Sequence, residues 1–321
     1  MADERRARLL FVHAHPDDET LATGVAIATY AAAGHEVHVL TANLGDEGEV
    51  IPDDLRRLDP AEQIGPERGV DLAAYRRGEL VAALDALGAA GRLLGEDAPL
   101  QAGTGPGPFR DSGMVGTPSA GHPRALVGAD LDALADLVRA VVQDVGADVV
   151  VTYDSAGGYG HPDHVRVHAM TCRALATMPA QARPALFAAY VPADAAAADR
   201  ARLPGLVDPA LRLSVPGPDD PYPPSVVDAG VVTHEVVGTP EALARRDAAL
   251  RAHRTQVTLF EGGYHALSND VAAPTPTREG YARLDPETGE PLPGPRNGGG
   301  RPGLVPDLPG EIGTDPREDR T

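Results

Sequence analysis

The sequence predicts an α/β protein in which a mostly parallel sheet carries helices on both faces. Short apolar runs of strand length alternate along the chain with longer segments of helical periodicity. Strands that alternate with helices form right-handed βαβ units, and the helices then cover both faces of the sheet. The apolar runs are nearly continuous, as expected for strands that are buried on both faces. Because 42% of the 321 residues are apolar, the chain can build one large domain or two small ones.

The alternation is regular from residue 8 to residue 191. Gly34 directly follows the first helix, at the position where a left-handed glycine commonly ends a helix. The run at 92–95 is the weakest of the predicted strands. In chain order, the predicted elements are strand 8–14, helix 21–34, strand 36–42, helix 71–88, strand 92–95, helix 130–146, strand 147–153, helix 163–178 and strand 185–191.

After residue 191 the pattern changes. Residues 192–227 are rich in Ala, Asp and Pro and predict an insertion, after which a strand at 226–237 and a helix at 240–253 resume. The final segment is rich in Pro, Gly and charge, a composition typical of disorder. The predicted organisation is a Rossmann-like catalytic domain over 1–191, a smaller C-terminal α+β portion over 192–284 that packs on it and completes the fold, and a disordered tail over 285–321.

Charge and composition exclude several classes of partner. The net charge of −19 would repel nucleic acid and anionic membranes. The N-terminus lacks the apolar core of a signal peptide, and no run approaches the roughly 18 apolar residues of a membrane span. The single cysteine, Cys172, cannot form an internal disulfide and fits a reducing compartment. We therefore expect a soluble, cytoplasmic protein that acts on a small molecule, with its oligomeric state left open.

Two polar clusters directly follow predicted strands. HAHPDDE (13–19) follows the first strand, and YDSAGGYGHPDH (153–164) follows the strand at 147–153. In open parallel α/β sheets the ligand site lies beyond the carboxyl ends of the strands, so both clusters are expected at one edge. The polar residues that we expect to share this edge are His13, His15, Asp17, Asp18, Glu19, Tyr159, His161, Asp163 and His164.

This set of side chains is typical of a catalytic zinc site. Imidazoles and carboxylates without a thiolate pair suit three protein ligands and one open position. Zinc lowers the pKa of bound water from 15.7 to about 7, and a nearby carboxylate then serves as general base. The adjacent Asp17 and Asp18 suit one base and one ligand, because neighbouring side chains cannot both point at the metal in the same way.

Other interpretations compete with the zinc site. Either cluster alone could be a His-Pro-Asp turn whose Asp caps the next helix, and two clusters at two strand ends favour the metal. His13 falls within a strand and His168 one helical turn after His164, so packing or supporting roles are favoured for these two. The rival functions are a sugar-binding protein that keeps a metal and a metal-free glycosidase that uses Asp17 and Asp163.

At these residues the sequence resembles the LmbE-like (PIG-L) family of zinc-dependent N-acetylglucosaminide deacetylases. HAHPDDE and HPDH carry the resemblance, which extends over about residues 8–270. Within the family, it is closest to the N-acetylglucosaminyl-inositol deacetylases of mycothiol biosynthesis. The further matching segments are LGDEGEV (44–50), YRRGELVAALDALG (75–88), FRDSGMVGT (109–117), VVVTYDSAGGYGHPDHV (149–165), AHRTQV (252–257) and ALSND (266–270).

The resemblance implies a metal site and a reaction. It implies that His15, Asp18 and His164 bind one Zn²⁺ per subunit, with Fe²⁺ as the alternative metal for such ligands. Asp17 is the implied general base, which takes a proton from water and passes it to the leaving amine. The implied substrate is N-acetylglucosaminyl-inositol. The related mycothiol S-conjugate amidases carry a Lys soon after HPDDE, and the absence of Lys from this chain favours the deacetylase.

The resemblance also implies roles around the metal. His161 is implied to stabilise the oxyanion, and Asp163 to orient His161. Tyr159 lies on the glycine-rich loop and is implied to move over the substrate amide. Arg76 and Asp111 match positions that hydrogen-bond the sugar or inositol hydroxyls.

Overall fold

The computed structural model describes residues 6–65, 67–103, 105–293 and 301–305. Strands and helices alternate through the first part of the chain, as predicted. Up to residue 192 they are β1 (Arg8–His13), α1 (Asp18–Ala32), β2 (Glu36–Thr41), α2 (Val70–Leu87), β3 (Ala90–Leu93), α3 (Leu131–Val145), β4 (Val149–Thr152), α4 (Gly157–Gly160), α5 (Pro162–Ala176) and β5 (Ala185–Pro192). The later elements are α6 (Ala193–Arg202), β6 (Val226–Val227), β7 (His234–Val237), α7 (Pro240–Ala252), β8 (Thr258–Phe260), β9 (Tyr264–Ala266), β10 (Ala272–Pro274), β11 (Arg278–Arg283) and β12 (Arg301–Pro302).

The main sheet is mostly parallel. Strands β3, β2, β1, β4 and β5 lie side by side in that order, and all run parallel. Beyond β5, β11 pairs antiparallel with β5 and with β7, and β12 pairs parallel with β7. The short β6 pairs parallel with the end of β5, while β8, β9 and β10 form a separate antiparallel sheet. The predicted α/β class with a mostly parallel sheet is confirmed.

Helices cover both faces of this sheet, which the alternation of side chains along β1 makes possible. Leu10 and Val12 belong to a buried cluster that includes apolar residues of α3 and α5. Leu9 and Phe11 point to the other face, into a cluster with residues of α1, α2 and α7. The core therefore consists of two apolar layers, one on each side of the sheet.

The strand order places a crevice at the ends of β1 and β4. From β1 the chain moves to β2 and β3 on one side, and β4 and β5 then lie on the other side of β1. At such a switch point the loops that follow the two central strands diverge and leave room for a ligand. The HAHPDDE and HPDH loops are the loops that follow β1 and β4.

Several elements differ from the prediction. Helix α1 begins at Asp18, inside the HAHPDDE motif, because two acidic residues in the first turn interact favourably with the helix dipole. The alanine-rich α6, for which no helix was predicted, occupies part of the predicted insertion at 192–227, since alanine is the best helix former. The strand predicted over 226–237 is divided into β6 and β7. Strand β11 was not predicted.

Of the C-terminal elements, β7, β11 and β12 continue the main sheet, while β8, β9 and β10 form the separate antiparallel sheet. The domain boundaries at 191 and 284 stay a prediction. Parts of the expected disordered tail are packed: Leu284 pairs with Pro291, and the buried Leu304 donates its N–H to Tyr30 Oη at 2.6 Å. The rest of the tail lies outside the described residues. Across the described ranges, no helix is long and apolar enough to cross a membrane.

Candidate active site

The turn after β1 holds an imidazole and a carboxylate against each other. The backbone N–H of His15 donates to Asp18 Oδ2 at 2.9 Å. The same oxygen lies 3.5 Å from His15 Nδ1, and both residues are buried. Because Asp18 is the first residue of α1, the start of the helix fixes its backbone while the turn fixes its carboxylate.

The loop after β4 brings a second imidazole to the same carboxylate. His164, in the first turn of α5, places its Nε2 3.3 Å from Asp18 Oδ2. The ring of Tyr153 stacks on the His164 ring with centroids 4.2 Å apart. Tyr153 Oη in turn accepts the N–H of Ala14 at 2.8 Å, which ties the two loops together. The predicted convergence of the two clusters is therefore present in the structure.

The geometry of these three side chains fits a divalent cation. Zinc bonds of 2.0–2.1 Å in a tetrahedral site place neighbouring ligand atoms about 3.3–3.4 Å apart. Asp18 Oδ2 lies 3.5 Å from His15 Nδ1 and 3.3 Å from His164 Nε2. The Nε2 atom of His164 is buried and makes no hydrogen bond. An unpartnered buried nitrogen at ligand spacing from a carboxylate is the arrangement that a metal ion would complete.

Two overlapping groups of potential ligands are present at this edge. His15, His161 and His164 offer one set of ligand atoms that all lie within 4.8 Å of one another. His15, Asp111, His161 and Asp163 offer a second set that meets the same limit. All five residues are buried, so a cation bound here would be shielded from bulk water.

The charged groups around the predicted ligands shift one another's pKa values. Burial raises the pKa of Asp18, but His164 and His15 outweigh it and hold that pKa well below its usual range. Burial lowers the pKa of His15, but the Asp111, Asp163 and Asp18 carboxylates outweigh it and raise that pKa well above its usual value. The carboxylates therefore create a strongly negative environment that favours a positive charge at the centre.

The carboxylate of Asp163 contacts the ring of His15 and not that of His161. Its Oδ2 lies 3.2 Å from His15 Nε2 and also accepts hydrogen bonds from Asn43 Nδ2 at 2.9 Å and Ser112 N–H at 3.1 Å. A carboxylate on the far nitrogen of an imidazole ligand fixes the ring for metal binding. Asp163 is predicted to orient His161, and it contacts that ring through its backbone N–H, which donates to His161 Nδ1 at 3.1 Å, and not through its carboxylate.

His161 and Asp111 lie side by side next to His15. His161 Nε2 lies 3.8 Å from Asp111 Oδ1, and this oxygen also lies 3.5 Å from His15 Nε2. Burial, followed by the neighbouring His15, lowers the pKa of His161 to about 4. Because Nδ1 of His161 accepts the Asp163 N–H, the neutral ring carries its proton on Nε2, which is then a hydrogen-bond donor.

Arg76 holds the turn that carries Asp17. Its Nη2 donates to the carbonyl oxygen of Pro16 and lies 3.2 Å from Asp17 Oδ2, while Nη1 donates to Gly45 O at 2.7 Å. A Cβ at position 45 would lie 2.0 Å from Arg76 Nη1, so the guanidinium needs glycine there. Nη2 of Arg76 thus contacts the Pro16–Asp17 turn and Nη1 the loop after β2, while the predicted contact of Arg76 with substrate hydroxyls stays a prediction.

Asp17 combines an unusual backbone with a buried carboxylate. Its φ of 109° is in a region that non-glycine residues rarely adopt. Burial raises its pKa to about 7, although Arg76 opposes this shift. A pKa near the working pH is what efficient general-base catalysis requires.

Tyr159 is the exposed member of the set. Its side chain lies on the α4 turn among glycines with positive φ and is 56% exposed. Its ring centroid lies 5.0 Å from that of His164 and 6.1 Å from that of His161. An exposed aromatic ring on a glycine-rich turn can move toward a bound substrate without disturbing the core.

The sequence analysis assigned no role to two buried residues next to the site. His253, from the AHRTQV segment, places its Nε2 2.6 Å from Glu19 Oε1. Glu19 was placed at the site edge, but His253 is far away in sequence and has no acidic neighbour that would have drawn attention to it. Asn43, which binds Asp163, was also missed.

Comparisons with known proteins show which proteins this chain resembles. The profile of the PIG-L family, described as GlcNAc-PI de-N-acetylase, matches residues 10–175. The chain is 44% identical over 298 residues to the 1D-myo-inositol 2-acetamido-2-deoxy-alpha-D-glucopyranoside deacetylase of Rhodococcus jostii (strain RHA1), which covers 88% of this chain and 93% of that protein. It is 43% identical over 296 residues to the protein of the same name from Mycolicibacterium smegmatis, with 90% and 94% covered. Among solved structures, the A40926 pseudoaglycone deacetylase superposes with a TM-score of 0.46 at 21% identity, covering 78% of this chain and 83% of that one.

The fold and the site, with these matches, define a deacetylase, a hydrolase with a buried His and Asp cluster that fits a metal ion. The family profile spans both polar loops, and the relatives are similar over nearly the whole chain. The chain belongs to the PIG-L family.

Proposed function

We propose that this chain removes the acetyl group from 1D-myo-inositol 2-acetamido-2-deoxy-α-D-glucopyranoside, giving the free amine and acetate in mycothiol biosynthesis. The names of relatives that are 43–44% identical support this substrate. The observation that carries the chemistry is the buried His164 Nε2, which makes no hydrogen bond and lies 3.3 Å from the carboxylate of Asp18, the residue that follows Asp17.

For the metal we propose His15, Asp18 and His164 as ligands, with Zn²⁺ as the ion and Fe²⁺ as the alternative. His15 would use Nδ1, because its Nε2 faces the Asp163 carboxylate. A bound ion would supply a Lewis acid for the amide carbonyl and lower the pKa of water. His161 stays outside this ligand set in the proposal, since its Nε2 is needed as a donor.

The proton transfers are assigned to Asp17. Its carboxylate takes a proton from the attacking water and delivers it to the amine nitrogen as the C–N bond breaks. Arg76 holds this carboxylate through Asp17 Oδ2 and through the preceding carbonyl. The role assigned to Arg76 therefore changes from substrate binding to positioning of the base.

Stabilisation of the negative charge on the former carbonyl oxygen is assigned to His161. Its protonated Nε2 donates a hydrogen bond that strengthens as the oxygen becomes negative. Asp111 and Tyr159 are proposed to contact the substrate, Asp111 through its carboxylate beside His161 and Tyr159 through its exposed ring. Asp163 fixes the His15 ring.

The test compares substrates and metal states of the purified full chain. We expect amine release from the inositol glycoside with a higher kcat/KM than from a mycothiol S-conjugate, the substrate of the alternative amidase function. Chelation should abolish the activity, and added Zn²⁺ should restore it. A chelator-insensitive activity would point to the two-carboxylate glycosidase instead, and a higher kcat/KM on the conjugate would overturn the substrate assignment.

A further inference from the structure

Glu19 is a buried carboxylate whose oxygens are both occupied. Glu19 Oε2 accepts the backbone N–H of Asp17 at 3.0 Å. Glu19 Oε1 lies 2.6 Å from His253 Nε2 and also accepts the hydroxyl of Thr20. Glu19 and His253 are each fully buried, so neither side chain is in contact with bulk water.

Two side chains thus bind opposite edges of one peptide unit. Arg76 donates to the carbonyl oxygen of Pro16, and Glu19 accepts the N–H of Asp17. These two atoms belong to the same planar peptide group, which is therefore held from both sides. Rotation of this plane would change φ of Asp17 and with it the direction of the Asp17 side chain.

Arg76 and Glu19, the two groups that hold this peptide, lie on α2 and α1, and Glu19 is in turn bound by His253 at the end of α7, a helix that packs against both α1 and α2. Arg76 lies on α2, and His253 directly follows α7. The two helices are also joined by Thr255, whose N–H and hydroxyl bond Glu79 of α2 at 2.7 and 2.6 Å. Each side of the peptide is therefore tied to a rigid element.

Such a clamp is needed because Asp17 has a φ of 109°. A residue in a sparsely populated backbone region costs on the order of 1–3 kcal/mol and persists only where its surroundings over-determine it. Without the Glu19 acceptor, the peptide could rotate toward a relaxed conformation. The carboxylate of Asp17 would then leave its place beside the metal site.

We propose that Glu19 and His253 are positioning residues that clamp the Pro16–Asp17 peptide and so hold the Asp17 carboxylate in place for proton transfer. This inference rests on the proposed function of Asp17 as the base. It assigns a role to the last residue of HAHPDDE and to the His of AHRTQV.

Glu19→Met tests the clamp against a matched control. The substitution keeps the side-chain length and removes the acceptor. Glu279 is equally buried and also accepts backbone N–H groups of α1, from Val25 at 2.8 Å and Ala26 at 2.9 Å. Glu279→Met therefore removes a buried acceptor of backbone N–H groups of the same helix, away from the Asp17 turn.

We expect Glu19→Met to lower kcat by about 10-fold to 100-fold, because small displacements of a catalytic group have effects of that size. KM and bound zinc should stay unchanged. Glu19→Gln should recover most of kcat, since its amide oxygen can accept the Asp17 N–H. His253→Leu should lower kcat in the same direction, whereas Glu279→Met should lower Tm and leave kcat intact. An unchanged kcat in Glu19→Met, or zinc lost in parallel with kcat, would overturn the clamp.

Crystal structures of the Glu19 variants separate this proposal from the proposed function. If the wild-type chain does not release the amine, the proposed function fails, while the position of Asp17 still tests the clamp. The clamp is supported if the Asp17 carboxylate moves in Glu19→Met and stays in place in Glu19→Gln. An Asp17 turn that is the same in both variants and in the wild type contradicts it.

Discussion

Asp18 and Glu19 are neighbours in sequence, both buried and both beside imidazoles, yet their surroundings differ. Glu19 meets His253 Nε2 at 2.6 Å, and each of its oxygens has a donor. Asp18 Oδ2 instead lies 3.3–3.5 Å from two imidazole nitrogens, and His164 Nε2 has no hydrogen bond. The spacing around Asp18 is that of ligand atoms around an ion, whereas the spacing between Glu19 and His253 is that of a direct ion pair.

The difference shows that residue type and burial do not identify a metal site by themselves. Both carboxylates lie in the first turn of α1, and both contact a histidine from a distant part of the chain. What separates them is whether the polar atoms already satisfy one another. In the Glu19–His253 pair the two atoms that face each other are in hydrogen-bond contact, and only the other ring nitrogen, His253 Nδ1, has no partner. In the Asp18 cluster the nitrogen without a hydrogen bond, His164 Nε2, is the one that faces the carboxylate, which leaves this cluster open for a cation.

The strongest test of this contrast removes one imidazole from each carboxylate, that of His164 from Asp18 and that of His253 from Glu19. We expect His164→Ala to lose most of its bound zinc and to lower kcat/KM by roughly four orders of magnitude or more, since removal of a ligand removes the Lewis acid and the activated water. His253→Leu should keep its zinc. Metal analysis of both purified variants, alongside kcat/KM, makes the comparison. Full zinc occupancy in His164→Ala would contradict the ligand assignment.

A second test separates the base from the ligand. Asp17→Asn should keep zinc at the wild-type level and lower kcat by about 10²–10⁴-fold, the usual contribution of a general base. Asp18→Asn should lose zinc affinity, because a neutral amide is a poorer ligand than a carboxylate. Zinc titrations of the two variants measure the difference. A near-normal kcat in Asp17→Asn would remove Asp17 from the mechanism.

A third test concerns the histidine that lies beside the ligands. His161→Ala should lower kcat by about 10²–10³-fold, the effect of losing one oxyanion donor. Zinc content should not fall, since His161 is not among the proposed ligands. If zinc is lost with His161, the ion uses the alternative set of His15, His161 and His164.

The smallest expected effect lies at Glu279, a third buried carboxylate bound to α1 but with no imidazole partner among its hydrogen bonds. Burial raises its pKa from 4.5 to about 7, against hydrogen bonds from Tyr281 and two backbone amides. The folded state therefore keeps this proton to a higher pH than the unfolded state. The contribution of protonated Glu279 to the stability of the folded state is complete below about pH 4.5 and is lost as the pH rises through 7.

Denaturant unfolding at pH 5 and pH 8 measures this effect. Between these pH values the free energy of unfolding of the wild type should fall by about 2–3 kcal/mol more than that of Glu279→Gln, which cannot titrate. kcat should be the same in both proteins. Equal pH dependence in the two proteins would show that Glu279 is ionised throughout this range.

Much of the fold and of the site was predictable from local sequence patterns. The apolar strands and the polar runs that follow β1 and β4 are contiguous in the chain, and parallel strands bring such runs to one edge. That is why His15, Asp18 and His164 were expected to meet, and they do.

The remaining features depend on contacts between distant segments. Glu19 and His253 are 234 residues apart, and nothing near His253 signals its partner. Strand β11, with the sequence REGYAR, lacks a continuous apolar run, although it lies between β5 and β7 in the sheet. The contact of Asp163 with His15 rather than His161 depends on how two loops pack, which neither loop encodes alone.

The distance along the chain between Glu19 and His253 also orders events during synthesis. His15, Asp18 and His164 have all left the ribosome well before residue 253, so a growing chain holds every proposed zinc ligand while Glu19, which restrains the Asp17 turn, still lacks its partner His253. Maturation of the catalytic turn must therefore await the docking of α7 against α1 and α2. A nascent or truncated protein could acquire its metal before it could use it.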